Sequence, residues 1–230
     1  MHTIIYTTFL FLLSSCSQSN DCKNRFDLIH SNDSIPNFAI NYSESTETTL
    51  ARLNQIADFD PCERCGWVQI KSPFVIEGKN GFLPVTFHFD YMNCPNCPIV
   101  CTWERNYFEI LVNAKSQILA EQEFVVLDSL HIKIDEYLKN IGTNYYPQNY
   151  TDFFYYLKWD RNVDSLFLNE VFTKTYSAHI NFIERKKLDE GIDLCSLNNA
   201  EIKELKSKYP FRLIIAKPVM FPLPMPQFSY

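Results

Sequence analysis

The chain has 230 residues, 46% of them hydrophobic and 21% charged, with a formal net charge of −6. That balance supports a buried core and excludes a disordered tail protein or a collagen-like repeat. It also argues against a nucleic-acid binder, which needs a basic face, because basic residues cluster no further than Arg185-Lys186-Lys187; five glycines are too few for a phosphate-cradling loop.

Residues Thr3 to Leu13, TIIYTTFLFLL, form an apolar run the length of a signal-peptide core. It is too short to cross a bilayer, which takes about 20 apolar residues. The run ends in Leu13-Ser14-Ser15-Cys16, which resembles the lipobox of bacterial lipoproteins. The resemblance implies that residues 1–15 are a removed signal peptide and that the Cys16 thiol takes the lipid as the mature N-terminus. Small residues at 14 and 15 fit a peptidase cleft, and buried acyl methylenes then supply membrane affinity. The n-region departs from the pattern, since Met1-His2 holds no Lys or Arg. A plain cleaved signal or an uncleaved anchor are the alternatives, and in each the chain leaves the cytoplasm. The expected location is the cell envelope, lipid-anchored to the outer or inner membrane; Ser17 after the cysteine resembles an outer-membrane sorting signal.

Residues 16–59 read as a polar tether with a short helix from Thr49 to Ala57. Residues 60–103 read as a cysteine-rich β-hairpin. Val85, Phe87, Phe89 and Tyr91 alternate with Thr86, His88 and Asp90, a period-two strand with one apolar face. Trp67 to Lys71 and Phe74 to Ile76 form the preceding strand, broken by Pro73, and the Asn80-Gly81 pair supplies the φ values of a tight turn. Folding there brings Cys65 opposite Cys94, with Cys62 and Cys97 beside them. Two Cys-x-x-Cys turns converging in this way are similar to zinc knuckles, and four thiolates make a closed tetrahedral site for a structural Zn. Outside the cytoplasm the same thiols pair as disulfides. Both outcomes stay open, and both staple a hairpin without a core of its own. A thioredoxin-like redox role fits less well, because a strand rather than a helix follows Cys65. Cys22, Cys101 and Cys195 are further disulfide candidates; with Cys16 lipidated, the remaining cysteines are odd in number.

Residues 104–218 alternate strand and helix patterns. Phe108 to Asn113 and Ile118 to Ala120 read as strands about a turn. Leu127, Leu130, Ile134, Tyr137, Leu138 and Ile141 lie at helical spacing, with Asp128 as cap and Gly142 as stop. Phe153 to Trp159 is a strand, Leu168, Phe172, Tyr176, His179 and Ile183 share a helical stripe that ends at Gly191, Asn198 to Glu201 caps a short helix, and Phe211 to Ala216 is a strand. The expectation is an α+β domain of order β-β-α-β-α-β with helices on one face of the sheet. The proline-rich tail, residues 219–230, is excluded from helix and central strand.

This order, together with Glu104-Arg105-Asn106, Ile110 to Lys115, Gln117 to Glu123, Leu157 to Arg161 and Lys208 to Pro218, resembles the extracytoplasmic domain of the ExbD/TolR family of biopolymer transport proteins. The resemblance implies a non-enzymatic domain that pairs with itself, with a periplasmic protein or with peptidoglycan. The family's membrane helix carries an aspartate that works with the proton gradient, whereas Thr3 to Leu13 has no Asp or Glu, so energy transduction is not implied. The cysteine hairpin is also foreign to the pattern. The alternative is a lipoprotein acting through its Cys-x-x-Cys pairs. His88 beside Asp90, His131 four residues before Asp135, and His179 on an apolar stripe read as structural rather than catalytic, and Glu184 to Lys187 reads as a solvated helix end. There is no Gly-x-Ser-x-Gly and no His-Glu-x-x-His.

Overall fold

A computed structural model of the chain describes residues 22–28, 35–44, 46–57, 67–76, 79–88 and 106–216. It is a mixed fold of helices and one mixed sheet. The strands are β1 (Trp67–Ile76), β2 (Lys79–His88), β3 (Tyr107–Val112), β4 (Ile118–Ala120), β5 (Glu123–Val125), β6 (Phe154–Trp159) and β7 (Leu213–Ala216), ordered β1-β2-β7-β6-β3-β4-β5. The central four, β2, β7, β6 and β3, run parallel, and antiparallel pairs close both ends. The helices are α1 (Lys23–Asp27), α2 (Thr46–Ala57), α3 (Leu130–Asn140), α4 (Ser165–Asp189) and α5 (Asn199–Lys208).

The alternation of side chains along strands sorts the sheet into two unlike faces. On one, Ile70, Val85, Leu213, Tyr155 and Phe108 lie in register across five strands, all but withdrawn from solvent. Helices α3 and α4 pack on this face: Phe108 meets Tyr137 edge-on, Tyr155 meets His179, and Phe74 meets Phe172. On the other, Gln69, Thr86, Ile214, Tyr156 and Glu109 form the matching row, polar at its ends.

The helix α4 descends against the strands. Phe172, early in it, touches Tyr42, which touches Trp159 at the carboxyl end of β6; Phe182, late in it, touches Tyr150 just ahead of that strand. Its ends are set by local chemistry. The Asp164 carboxylate accepts from the Leu166 amide at 3.0 Å, and Gly191 takes φ +75°, closing the last turn with an amide bond from Ile192 to the Lys187 carbonyl. The shorter α5 carries a capping box between Asn198 and Glu201.

Four expectations need correction or extension. Ile76 pairs with Lys79, so the chain reverses ahead of Asn80-Gly81, which instead lie in β2 opposite Val75 and Phe74. The hairpin does not stand apart: β2 joins β7 in parallel and becomes part of the same sheet. Asp128 makes no cap bond; it sits in a 3₁₀ turn, Leu127–Ser129, and pairs with Lys174 at 3.0 Å. Residues 35–57 do more than lead into the domain. Phe38 and Leu53 are core residues, and Pro36 to Phe38 bond along the outer edge of β1 through Lys71.

Candidate functional site

Of the sequence-derived cysteines, the structure describes two. Cys22, at the entry to α1, and Cys195, in a 3₁₀ turn Leu194–Ser196, form a disulfide with Cα atoms 5.4 Å apart at a sequence separation of 173. Around it, the Asn24 side-chain amide donates to the carbonyls of Leu194 at 3.0 Å and Leu197 at 2.8 Å, and Arg25 binds Glu184 and donates to the Asn181 amide oxygen at 2.8 Å. The first described residues are thus clamped to α4 and to the turn after it. Cys195 is exposed.

Cys16, Cys62, Cys65, Cys94, Cys97 and Cys101 lie outside the described residues, as does Asp90. Their neighbours do not. Trp67 pairs with His88, so the segment holding Cys62 and Cys65 enters the hairpin where the segment holding Cys94, Cys97 and Cys101 leaves it. That place is the carboxyl edge of the parallel strands, because His88 also pairs with Ala216. Among the described residues, no group of three or more His, Cys, Asp or Glu is placed to hold a metal.

Of the histidines singled out in the sequence, the structure describes the side chains of His179 and His131, and that of His88 lies outside what it describes. His179 is fully buried, and the Tyr155 hydroxyl meets its Nδ1 at 3.0 Å while its Nε2 meets the Tyr209 carbonyl at 3.3 Å. A carbonyl only accepts, so Nε2 carries the proton and Nδ1 accepts from the hydroxyl. Burial pushes His179 down to about 4 from 6.5, only partly offset by the Tyr209 carbonyl, and pushes Tyr155 well above the ordinary tyrosine value. Both groups are therefore neutral, partnered and closed to solvent. His131 is exposed, and the carboxylate of Asp135 goes to Arg185 and, at 2.8 Å, to Lys139 instead. The basic run at the end of α4 is likewise engaged: Glu184 with Arg25, Arg185 with Asp135, Lys187 with Glu190 at 2.5 Å, and Lys186 over the Phe182 ring.

Between α3, α4 and the bridged turn lies an open cavity of about 530 Å³. Its apolar walls are Ile132, Ala178, Leu188, Ile192 and Leu194. Of the charged groups on its rim, Asp135, Glu184 and Arg185 are held in the pairs just named, and the Asp193 carboxylate accepts from the Cys195 amide at 2.9 Å, which leaves apolar wall as the cavity's main offering. Leu188 and Ile132 stand 66% and 49% exposed. No local pattern in the sequence announces this cavity, because α3 is separated in the chain from α4 and the turn that follows it. Leu188 itself carried a signal, an isolated apolar residue within a charged helix end.

No family model matches the chain, and neither a curated protein nor a solved structure matches it. Among the described residues no helix is long and apolar enough to cross a membrane.

Proposed function

We propose that the chain is an exported, lipid-anchored protein of the bacterial cell envelope that binds a partner rather than turning over a substrate. The observation that carries this reading is the Cys22–Cys195 disulfide, exposed on the surface where a reducing compartment would open it. It agrees with the leader of residues 1–15 and with Cys16 as the acylated residue. The region 104–218, with its ExbD/TolR-like order of strands and helices, is the binding domain, and the partner is a periplasmic protein, peptidoglycan or a second copy of the chain. Without an acidic residue in Thr3 to Leu13, the role is accessory to an envelope transport or wall-tethering assembly rather than energising it. Radiolabelled palmitate fed to expressing cells tests this: label should enter the chain and be lost in Cys16→Ala, and an unlabelled wild-type chain would refute the anchor.

A second reading is favoured by the strand register. Because Trp67 pairs with His88, both Cys-x-x-Cys segments are tethered at one hairpin end, within reach of a shared structural zinc or of each other as disulfides. One disulfide elsewhere in the chain favours the oxidised outcome. Zinc content and thiol counts of the purified chain, with and without reductant, separate the two, and turnover by a low-pKa thiol would replace the binding role with a redox one.

A further inference from the structure

We infer that the outer surface of the α3–α4 layer beside the Cys22–Cys195 bridge is the face the protein lays on its membrane, with the interfacial zone of the bilayer as its occupant. The inference rests on the reading that Cys16 carries the lipid. Six peptide steps separate Cys16 from Cys22, and a fully extended chain spans at most about 3.6 Å per residue, so the leash is no longer than about 22 Å. A folded body of this size has a radius of gyration of about 16 Å, so its diameter exceeds the leash. The bridge fixes the end of that leash to one place, the turn holding Cys195, over the second half of α4, where Arg25 meets Glu184 and Asn181. Only the side bearing the bridge can therefore sit against the lipid.

That side has the chemistry for it. Leu194, next to the bridged cysteine, lines the same cavity as Leu188 and Ile132, the two apolar side chains that stand well out of the surface there. Of the rim charges, Asp135, Glu184 and Arg185 are paired and Asp193 is acidic, so contact is through apolar side chains at headgroup depth rather than through selection for acidic lipid.

The test uses the full chain, acylated in cells and reconstituted into phosphatidylcholine vesicles. A photoreactive p-benzoylphenylalanine replaces either Leu188 or Gln69, the latter exposed on the opposite sheet face. Lipid adducts should form at 188 about tenfold over 69, because effective concentration falls steeply with distance along a short leash. The ratio should fall toward one when Cys22→Ser and Cys195→Ser are combined with Asn24→Ala and Arg25→Ala, which together free the end of the leash without touching either probe. Equal adducts at both positions in the bridged chain, or a ratio unmoved by release of the whole clamp, would overturn the orientation. The same mass spectra report the acyl group on Cys16: its absence defeats the lipoprotein reading, whereas an acylated chain with equal adducts defeats the orientation alone.

Discussion

The interior beneath α4 and the flank around the Cys22–Cys195 bridge are held by different means. In the interior, Tyr155 and His179 satisfy each other and a backbone carbonyl, among buried rings such as Phe108, Phe153 and Phe211. At the flank, a short helix is fastened by specific links: a disulfide, the Asn24 amide and the Arg25–Glu184 ion pair among them. Cohesion by burial needs a neighbourhood; cohesion at an edge needs specific links, and those links answer to compartment and chemistry in a way the core does not.

The contrast can be broken most forcefully in the interior. Tyr155→Ala should cost about 3–5 kcal/mol in urea unfolding, the range for deleting a buried ring, whereas the same change at Tyr145, 84% exposed, should stay within about 0.5 kcal/mol. Equal effects at the two sites would mean that the interior is not packed as described.

Acid should strain the interior next. The folded chain holds His179 neutral down to about 4, against 6.5 when unfolded, so between those values the unfolded chain binds more protons. The contribution is complete above pH 6.5 and is lost as pH falls toward 4, by roughly 3 kcal/mol at about 1.4 kcal/mol per unit. Stability curves across that window should show the loss, and a His179→Gln variant should flatten it; an unchanged slope would show that the ring is not closed off.

At the flank, replacing both Cys22 and Cys195 with serine should cost about 2–4 kcal/mol, read as a lower Tm. Dithiothreitol should reproduce much of that loss in the wild-type chain and lower the double variant by less. The smallest expected effect is local: Asn198→Ala removes the cap of α5, for a loss of about 1 kcal/mol. Should the cap matter more than the bridge, the flank would depend on α5 rather than on the covalent link.

Much of the region from residue 106 onward was legible in the sequence. The stripe of Leu168, Phe172, Tyr176, His179 and Ile183 is buried throughout, Gly191 and Asn198 sit where helix chemistry places them, and β3, β4, β6 and β7 fall on their apolar patterns. What escaped lacked a local signal. The three residues of β5, Glu123–Val125, are too short and too exposed to show alternation. The parallel pairing of β2 with β7 joins segments some 130 residues apart, and parallel partners leave no turn signature to read. The tight-turn preference of Asn80-Gly81 gave way to the register that pairs Ile70 with Val85 and Val68 with Phe87, all four buried. Phe38, in a polar stretch, enters the core because Arg52 stacks over its ring and Phe87 meets it edge-on, partners that periodicity does not reveal. The partner of Cys22 was beyond reach, since spacing alone does not determine disulfide connectivity.

The intact mass of chain extracted from the membrane fraction, taken without reductant, bears most directly on the whole reading. A polypeptide beginning at Cys16, heavier by its acyl groups and lighter by at least the two hydrogens of the Cys22–Cys195 bridge, is the predicted species. A full-length chain that retains Met1, carries no acyl mass and has every thiol free would contradict it.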